Sequence, residues 1–280
     1  MKDLSIGQVF FLYAHIFFSQ EGWDMKKRIA IALSCLLASS LLLGLAGRFL
    51  SAAVPAGQWG LHFNNSNVPQ APASREDLEK FDAYYMGDPK EKVLYLTFDA
   101  GYENGCTEQI LDILKKHQVS AAFFLTGHYL NKNADLVRRM VEEGHIVGNH
   151  TVNHPDMAKA EDSSFADQLS GLETLFKQIT EKDLPKYYRP PQGSYSPRNL
   201  EQAQELGYAT IFWSLAYADW DNKNQPDLND ALDKLLRRTH NGAIVLLHST
   251  SQTNAKILDQ LLTRWKDMGY RLAPLTELHT

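Results

Sequence analysis

The feature that most constrains the fold is the alternation of strand-like and helix-like segments from Lys92 to Leu275. Runs rich in β-branched and aromatic residues, such as VLYLTF at 93–98 and AIVLLH at 243–248, are separated by amphipathic segments such as 163–180. About seven such units in succession predict parallel strands joined by helical crossovers. We therefore predict an α/β fold, with about seven parallel strands in a closed or nearly closed barrel.

Polar residues stand at or just after the ends of these predicted strands. In a parallel barrel the carboxyl ends of all strands meet on one face, and active sites form there. The residues in question are Asp99, His150, Arg189, Asp219 and His248. We expect them to converge on one site.

The sequence NHTVNHP at 149–155 contains two histidines, His150 and His154, four residues apart. On a helical turn both imidazoles would share a face and could bind one metal ion. Two surface histidines on a helix would give the same pattern without any function. The position directly after a predicted strand and before Pro155 favours the metal site.

Asp99 is a single acid at the end of an apolar strand. It could cap the next helix, but beside a metal a carboxylate can also take a proton from a bound water. His248 could be the matching acid that protonates a leaving group, although a histidine after a buried strand can also be a core residue. Arg189 and Asp219 supply opposite charges that could orient and tune these two groups.

Length and composition fit an ordinary globular protein. The chain has 280 residues, of which 44% are hydrophobic and 22% charged, and this is enough to bury a full core. The formal net charge is −5. Residues 1–53 contain five basic and three acidic residues, so the remainder carries −7. An acidic chain without clustered Lys and Arg is a poor nucleic-acid binder, and we expect no such partner.

The front of the chain indicates export. Met25 is followed by KKR and then by a long apolar run, and small residues near Ala53 offer a cleavage site. We expect residues 25–53 to be a signal peptide or a signal anchor, and residues 1–24 to lie upstream of the true start. Pro, Gly, Asn and Ser are frequent over 54–90, which predicts a linker or an irregular N-terminal extension. The catalytic domain is then expected over 91–276.

Cysteine usage is sparse. Cys35 lies in the apolar leader, so Cys106 would be alone in the exported domain and could form no intramolecular disulfide. We interpret Cys106 as a small packing residue; a nucleophilic role is the alternative.

Five motifs, in order and with suitable spacing, resemble the polysaccharide deacetylases of the NodB-homology type. The longer stretches TFDAGYENG, FFLTGHY, EEGHIVGNHTVNHPD and FWSLAYADW resemble the delta-lactam-forming muramic acid deacetylases of spore-forming bacteria. The resemblance implies a distorted (β/α) barrel. The five motifs are TFDAG (97–101), HTVNHP (150–155), RPPQG (189–193), YADW (217–220) and IVLLH (244–248).

The resemblance also implies roles for individual residues. Asp99 matches the general base, and Arg189 matches the residue that orients it. His248 matches the general acid, and Asp219 the carboxylate that holds this histidine. All four positions keep the residue type that the chemistry requires.

By the same resemblance, His150 and His154 are the ligands of a divalent metal, with zinc as the expected ion. Most of the family has a second Asp at position 100, where this chain has Ala100, so one expected ligand is missing. The delta-lactam-forming branch also lacks this Asp, which favours a working enzyme.

Four residues are expected to contact substrate: Gln192, Gly193, Tyr195 and Trp220. The backbone N–H of Gln192 could help stabilise an oxyanion. Its neutral side chain replaces an aromatic residue of the family and cannot form a charge-assisted pair with a carboxylate. Tyr195, Trp213 and Trp220 could stack on sugar rings or could be core aromatics.

These features together predict an exported, monomeric, metal-dependent deacetylase of peptidoglycan. It would remove the acetyl group from N-acetylmuramic acid that lacks its peptide, leading to muramic delta-lactam in spore cortex. Membrane contact would occur only through the N-terminal signal or anchor. One alternative is a deacetylase of another glycan, such as wall N-acetylglucosamine or chitin. Another is a non-catalytic glycan-binding protein that uses the same cleft.

Overall fold

The computed structural model describes residues 54–63 and 68–278. The segment 1–24, expected to lie upstream of the true start, and the expected signal peptide or anchor at 25–53 lie outside these residues. In the part of the chain that is described, no helix is both long and apolar enough to cross a membrane.

The described residues form ten strands, eight of which belong to one parallel sheet. The other two, β1 and β7, pair with each other in an antiparallel ribbon. The strands are β1 (Gly57–Gln58), β2 (Ala83–Tyr84), β3 (Val93–Ala100), β4 (Ala122–Leu125), β5 (Ile146–Asn149), β6 (Tyr187–Tyr188), β7 (Ser194–Tyr195), β8 (Ala209–Ile211), β9 (Ala243–His248) and β10 (Arg271–Leu272).

Eight helices within the same described ranges connect and cover these strands. In the helices 107–117, 162–180 and 252–267 the apolar residues are spaced for one face, and these residues are buried. They are α1 (Arg75–Glu79), α2 (Thr107–His117), α3 (Gly127–Lys132), α4 (Ala134–Glu142), α5 (Asp162–Thr180), α6 (Pro197–Glu205), α7 (Leu228–Arg238) and α8 (Gln252–Asp267).

The sheet curls into a nearly closed barrel. Its neighbour order is β10-β3-β4-β5-β6-β8-β2, and β9 pairs with the other side of β3. Beyond β8, the N–H groups of Ser214 and Leu215 both donate to the carbonyl of Ile244, at 3.0 and 3.2 Å, so the chain after β8 also reaches β9. The predicted (β/α) barrel is confirmed, with β2 as a strand that the sequence pattern did not reveal.

Side chains of β3 point alternately to two apolar clusters, one on each face of the sheet. Tyr95 lies in the apolar cluster inside the barrel, whereas Phe98 and Ala100 lie in the cluster between the sheet and the helices. Because side chains alternate along a strand, Asp99 shares the inner face with Tyr95 and Thr97. Ala100 is 2% exposed and faces the helix layer.

The segment expected to be a linker or an irregular extension is packed over its described residues. Val54, Trp59, Leu78 and Phe81 are all buried in one apolar cluster. The same segment supplies β2, which pairs with β8 in the barrel. Periodicity did not reveal this strand because two residues are too few to show alternation.

Trp59 is the anchor of this segment, and its replacement tests the packing. Its ring stacks on Phe212 with centroids 4.4 Å apart, and its Nε1–H donates to the carbonyl of Trp213 at 2.8 Å. We expect Trp59→Ala to lower the free energy of unfolding by about 3–5 kcal/mol in urea titrations. The matched control Trp220→Ala removes an indole that is 61% exposed and should change stability by no more than about 0.5 kcal/mol. Equal effects of the two variants would contradict the assigned packing.

Candidate functional site

Asp99 is held by a fully buried arginine. The Nη1 of Arg189 donates to Oδ1 of Asp99 at 2.7 Å, while Nε and Nη2 donate to the carbonyls of Ile211 and Phe212. The guanidinium carbon also lies 4.2 Å from the centre of the Phe124 ring. The charged head is therefore fixed on several sides, and Asp99 has one defined orientation.

The charge of Arg189 also sets the ionisation of Asp99. Burial alone would raise the pKa of this carboxyl. The combined effects of the Arg189 charge, His150, His248 and the Arg189 hydrogen bond outweigh burial and hold the pKa below its ordinary value of 3.8. Asp99 is therefore a carboxylate at neutral pH.

His248 lies directly beside Asp99 because of strand register. In the β3–β9 pair, Asp99 stands opposite His248 at the last rung of the ladder. The His248 side chain is 27% exposed, whereas the Asp99 side chain is 8% exposed. A carboxylate and an imidazole thus meet at the carboxyl ends of two adjacent strands, as the sequence predicted.

Asp219 fixes His248 from behind. The backbone N–H of His248 donates to Oδ2 of Asp219 at 2.8 Å, and its Nδ1–H donates to Oδ1 at 2.7 Å. Nε2 is left as the nitrogen that can exchange a proton in the cavity. Burial alone would lower the pKa of His248, but the charge and hydrogen bond of Asp219 outweigh it and raise the pKa above its ordinary 6.5.

His150 and His154 are brought together by a loop. The prediction that they share a helical turn is wrong. The residues after β5 are irregular, and Thr151 and His154 have left-handed backbones with φ of 67° and 56°. The N–H of His154 donates to Oγ1 of Thr151 at 3.0 Å, which stabilises the turn. The two imidazole rings nevertheless lie 4.9 Å apart, edge to face.

The histidine pair offers nitrogen ligands to a metal. Nδ1–H of His150 donates to the carbonyl of Arg189 at 2.8 Å, so Nε2 carries the free lone pair. Burial lowers the pKa of His150 to about 4, which keeps the ring neutral. Nε2 lies 3.7 Å from Oδ2 of Asp99, the oxygen that Arg189 does not hold.

Neutral imidazoles are typical zinc ligands, so these donors fit a divalent metal. Position 100 adds none, because the methyl side chain of Ala100 has no donor atom and is buried in the core. Among the described residues no cluster of three or more His, Cys, Asp or Glu has a metal-holding arrangement. The described residues therefore offer a divalent metal two protein ligands, His150 and His154.

A cavity of about 710 Å³ opens above these groups. Its wall is mostly apolar and aromatic and includes a few ionisable groups, as in many small-molecule sites. Trp220 lies at its edge, with its ring 6.4 Å from that of His248. The described residues that line it are Gln58, Leu61, Phe63, Asp99, His150, His154, Gln192, Gly193, Trp213, Ala216, Tyr217, Trp220, Arg238, Leu246 and His248.

Gln192 and Gly193 reach the cavity through an unusual turn. Gln192 is exposed and has a φ of 58°, and Gly193 has a φ of 65°. A Cβ at Gly193 would lie 2.8 Å from the Trp213 ring and 3.0 Å from the Cβ of Trp59. Only glycine fits there, so the turn fixes where the Gln192 backbone meets the cavity.

Tyr195 does not reach the cavity, contrary to the expected contact with substrate. It is 1% exposed and lies in an aromatic cluster, with its ring 5.1 Å from Phe212 and 6.0 Å from Trp59. Residue 195 lies in β7, whose pairing with β1 turns this ring towards the core. Trp213 and Trp220 are the tryptophans of the RPPQG-to-YADW region that line the cavity.

Two positioning residues were not predicted. Nδ2 of Asn254, in the first turn of α8, donates to Oδ2 of Asp219 at 2.6 Å and to the carbonyl of His248 at 3.0 Å. Tyr217 donates its hydroxyl to Oδ1 of Asn254 and so fixes the amide. An Asn three residues after Ser251 resembles ordinary helix capping, so no pattern in the sequence points to this contact.

Comparison with known proteins decides the family. The family model described as polysaccharide deacetylase matches residues 86–211. Peptidoglycan-N-acetylmuramic acid deacetylase PdaA of Bacillus subtilis is 40% identical over 248 residues, which are 87% of this chain and 94% of that protein. The chain belongs to the polysaccharide deacetylase family. It is a carbohydrate deacetylase with the α/β barrel of that family.

Two solved structures of the same family are similar to this chain. The structure of Bacillus subtilis PdaA, described as a family 4 carbohydrate esterase, has a TM-score of 0.76 at 42% identity, covering 80% of this chain and 96% of that one. A family pseudoenzyme from Bacillus anthracis has a TM-score of 0.66 at 31% identity, covering 71% and 69%. The shared fold therefore occurs both in a protein described as a carbohydrate esterase and in one described as a pseudoenzyme.

Replacing the carboxylate behind His248 tests the electrostatics of this polysaccharide deacetylase. We expect Asp219→Asn to lower the pKa of His248, because the charge that offsets burial is lost. The measurement is an NMR titration of the histidine resonances, with buried His240, which bonds Ser214 instead, as the internal control. Because the folded-state pKa of His248 is raised, the stability from this pair is complete below pH 6.5 and is lost as pH rises through the folded pKa. An unchanged His248 titration would contradict the assignment.

Proposed function

We propose that the protein hydrolyses the acetamide of N-acetylmuramic acid in peptidoglycan, acting on residues that lack their peptide. The observation that carries the proposal is the opposite tuning of two neighbouring groups. Asp99 is held as a carboxylate by Arg189, and the pKa of His248 is raised by Asp219. Two adjacent groups with pKa values pushed apart are the arrangement that general base and general acid require. The similarity to PdaA supports muramic acid as the substrate.

Asp99 is the proposed general base. Arg189 holds Oδ1 at 2.7 Å, which leaves Oδ2 on the side of the two histidines. A water between Oδ2 and the substrate can pass its proton to this oxygen as it attacks the acetamide carbonyl. Arg189 acts through Asp99, because its own N–H groups are already bonded to Asp99 and to backbone carbonyls.

His248 is the proposed general acid. Nδ1–H is bonded to Asp219, so the proton that leaves must come from Nε2. Its raised pKa favours the protonated ring, and the departing amine nitrogen can take this proton as the C–N bond breaks. Acetate and a free amine are the products.

The carbonyl oxygen of the substrate needs stabilisation as charge develops on it. The N–H of Gln192 is one proposed donor, because Gly193 and the turn fix its position at the cavity. His150 and His154 would hold a divalent metal, with zinc as the proposed ion. When bound, such an ion polarises a carbonyl and lowers the pKa of water.

The biological setting follows from the proposed substrate. A free amine on muramic acid stands next to the lactyl carboxyl group, so the product is suited to form muramic delta-lactam, the modification of spore cortex. The polymer lies outside the cytoplasm, and the proposed signal or anchor at 25–53 would deliver the enzyme there. We propose that the enzyme acts as a monomer on glycan strands.

Acetyl loss from peptide-stripped peptidoglycan, followed by mass spectrometry, tests the function directly. We expect loss of acetyl groups from muramic acid and not from N-acetylglucosamine. Loss confined to glucosamine would favour the alternative substrate. Tight binding of the glycan without acetyl loss would favour a recognition protein; a structural neighbour of this chain is a pseudoenzyme.

Variants at the two proposed proton-transfer residues test the mechanism. Asp99→Asn and His248→Ala should each lower kcat by about 100-fold to 10,000-fold, because each removes one proton transfer. The control Asp135→Asn changes an acid whose side chain is 97% exposed and should leave kcat unchanged. Circular dichroism and thermal melting verify that the variants are folded. Full activity in either variant would remove that residue from its role.

Metal removal tests the role of the histidine pair. Treatment with a chelator should stop acetyl release, and added zinc should restore it. Calorimetry provides a readout that does not depend on turnover: His154→Ala should weaken zinc binding by at least about 10-fold to 100-fold. Unchanged zinc affinity in this variant would place the metal elsewhere.

A further inference from the structure

Arg238, the last residue of α7, lines the same cavity as Asp99 and His248. Among the described lining residues, Arg238 is the only permanently charged cation. It takes no part in the proton transfers proposed above. A cation in the wall of a largely apolar cavity indicates that the cavity receives an anionic group.

The guanidinium of Arg238 is held in place by two contacts. Its Nη1 donates to the carbonyl of Ala216 at 2.7 Å, and its central carbon lies 4.0 Å from the centre of the Phe63 ring. These contacts leave further N–H groups of the planar head for other partners, because a guanidinium has five such donors. The side chain is thus oriented before any substrate binds.

No acidic side chain within the described ranges forms an ion pair with Arg238, in contrast to Arg189 and its partner Asp99. Burial lowers the pKa of Arg238, and the adjacent Arg237 adds to this effect. An arginine remains charged even so. A half-buried cation without a counter-ion is best satisfied by an anionic ligand.

The proposed substrate carries an anion in the right chemical place. Muramic acid differs from glucosamine by a lactyl ether on O3, next to the acetamide on C2, and the lactyl carboxylate is free once the peptide has been removed. Gln192 is neutral and cannot form an ion pair with this carboxylate. Resting on the function proposed above, we propose that Arg238 binds the lactyl carboxylate and so determines the preference for muramic acid.

Arg238 also has a structural contact, because it donates to the carbonyl of Ala216. A test must distinguish this contact from the binding of a carboxylate. Ala216 begins the loop that carries Asp219 and Trp220, so loss of the arginine could disturb catalysis on every substrate. A binding role would instead raise KM selectively for glycans with a free carboxylate. The discriminating quantity is the ratio of kcat/KM between a charged and a neutral form of the same glycan.

The experiment compares peptide-free glycan with the same glycan after its lactyl carboxylates are converted to amides. In Arg238→Gln, KM for the charged glycan should rise by about 10-fold to 100-fold, the amount that one hydrogen-bonded charge contributes. The preference for charged over amidated glycan should fall by the same factor. Arg238→Lys should retain part of the preference. The matched control Arg237→Gln removes an exposed charge one residue away and should retain all of it.

The possible outcomes separate this proposal from the function on which it rests. An unchanged preference in Arg238→Gln, or an equal loss of activity on both glycans, would overturn the role of Arg238. If the wild-type protein releases no acetyl group from muramic acid, the proposed function fails instead. In that case calorimetric binding of both glycans to the wild-type protein and to Arg238→Gln still decides whether Arg238 recognises the carboxylate.

Discussion

The buried ion pair between Arg189 and Asp99 is the interaction on which the rest of the site depends. Arg189 is fully buried, so its charge is tolerated only because Asp99 and two backbone carbonyls receive its N–H groups. Its own backbone joins the next strand, because its N–H donates to Asn149 and its carbonyl accepts from His150. One residue therefore connects β3, β5 and the end of β8. Removing either partner of such a pair typically costs about 3–5 kcal/mol, so the orientation of Asp99 and the stability of the fold depend on the same contact.

The second carboxylate, Asp219, has the opposite effect on its partner. Asp99 is stabilised as an anion by a permanent cation, whereas Asp219 stabilises the protonated form of a titratable imidazole. The strands hold these groups side by side, since Asp99 and His248 share a rung of the sheet. Asn254 and Tyr217 then fix Asp219 from the helix side. Strand register supplies proximity, and the two charged partners supply the difference in pKa.

Much of the fold and site could be predicted from the sequence, and the exceptions share a physical reason. Strand ends are visible as apolar runs that stop at a polar residue, so the convergence of Asp99, Arg189 and His248 was predictable. The approach of His150 and His154 was predicted through a helix that does not exist, because left-handed φ values at non-glycine residues leave no signature in periodicity. Tyr195 was misassigned to the substrate because a two-residue strand determines which way its ring points.

The residues proposed for the chemistry and the residue proposed for the choice of substrate lie in different parts of the molecule. Asp99, Arg189 and His248 stand on barrel strands or directly after them, in buried surroundings where substitution disturbs the core. Arg238 ends a helix and Phe63 and Trp220 lie in loops; Trp220 is 61% exposed, and the other two are half-buried. Such a residue can change while the charged pairs stay intact. Gln192 is likewise exposed, so a neutral residue there need not abolish recognition of an acidic sugar if another position supplies the cation.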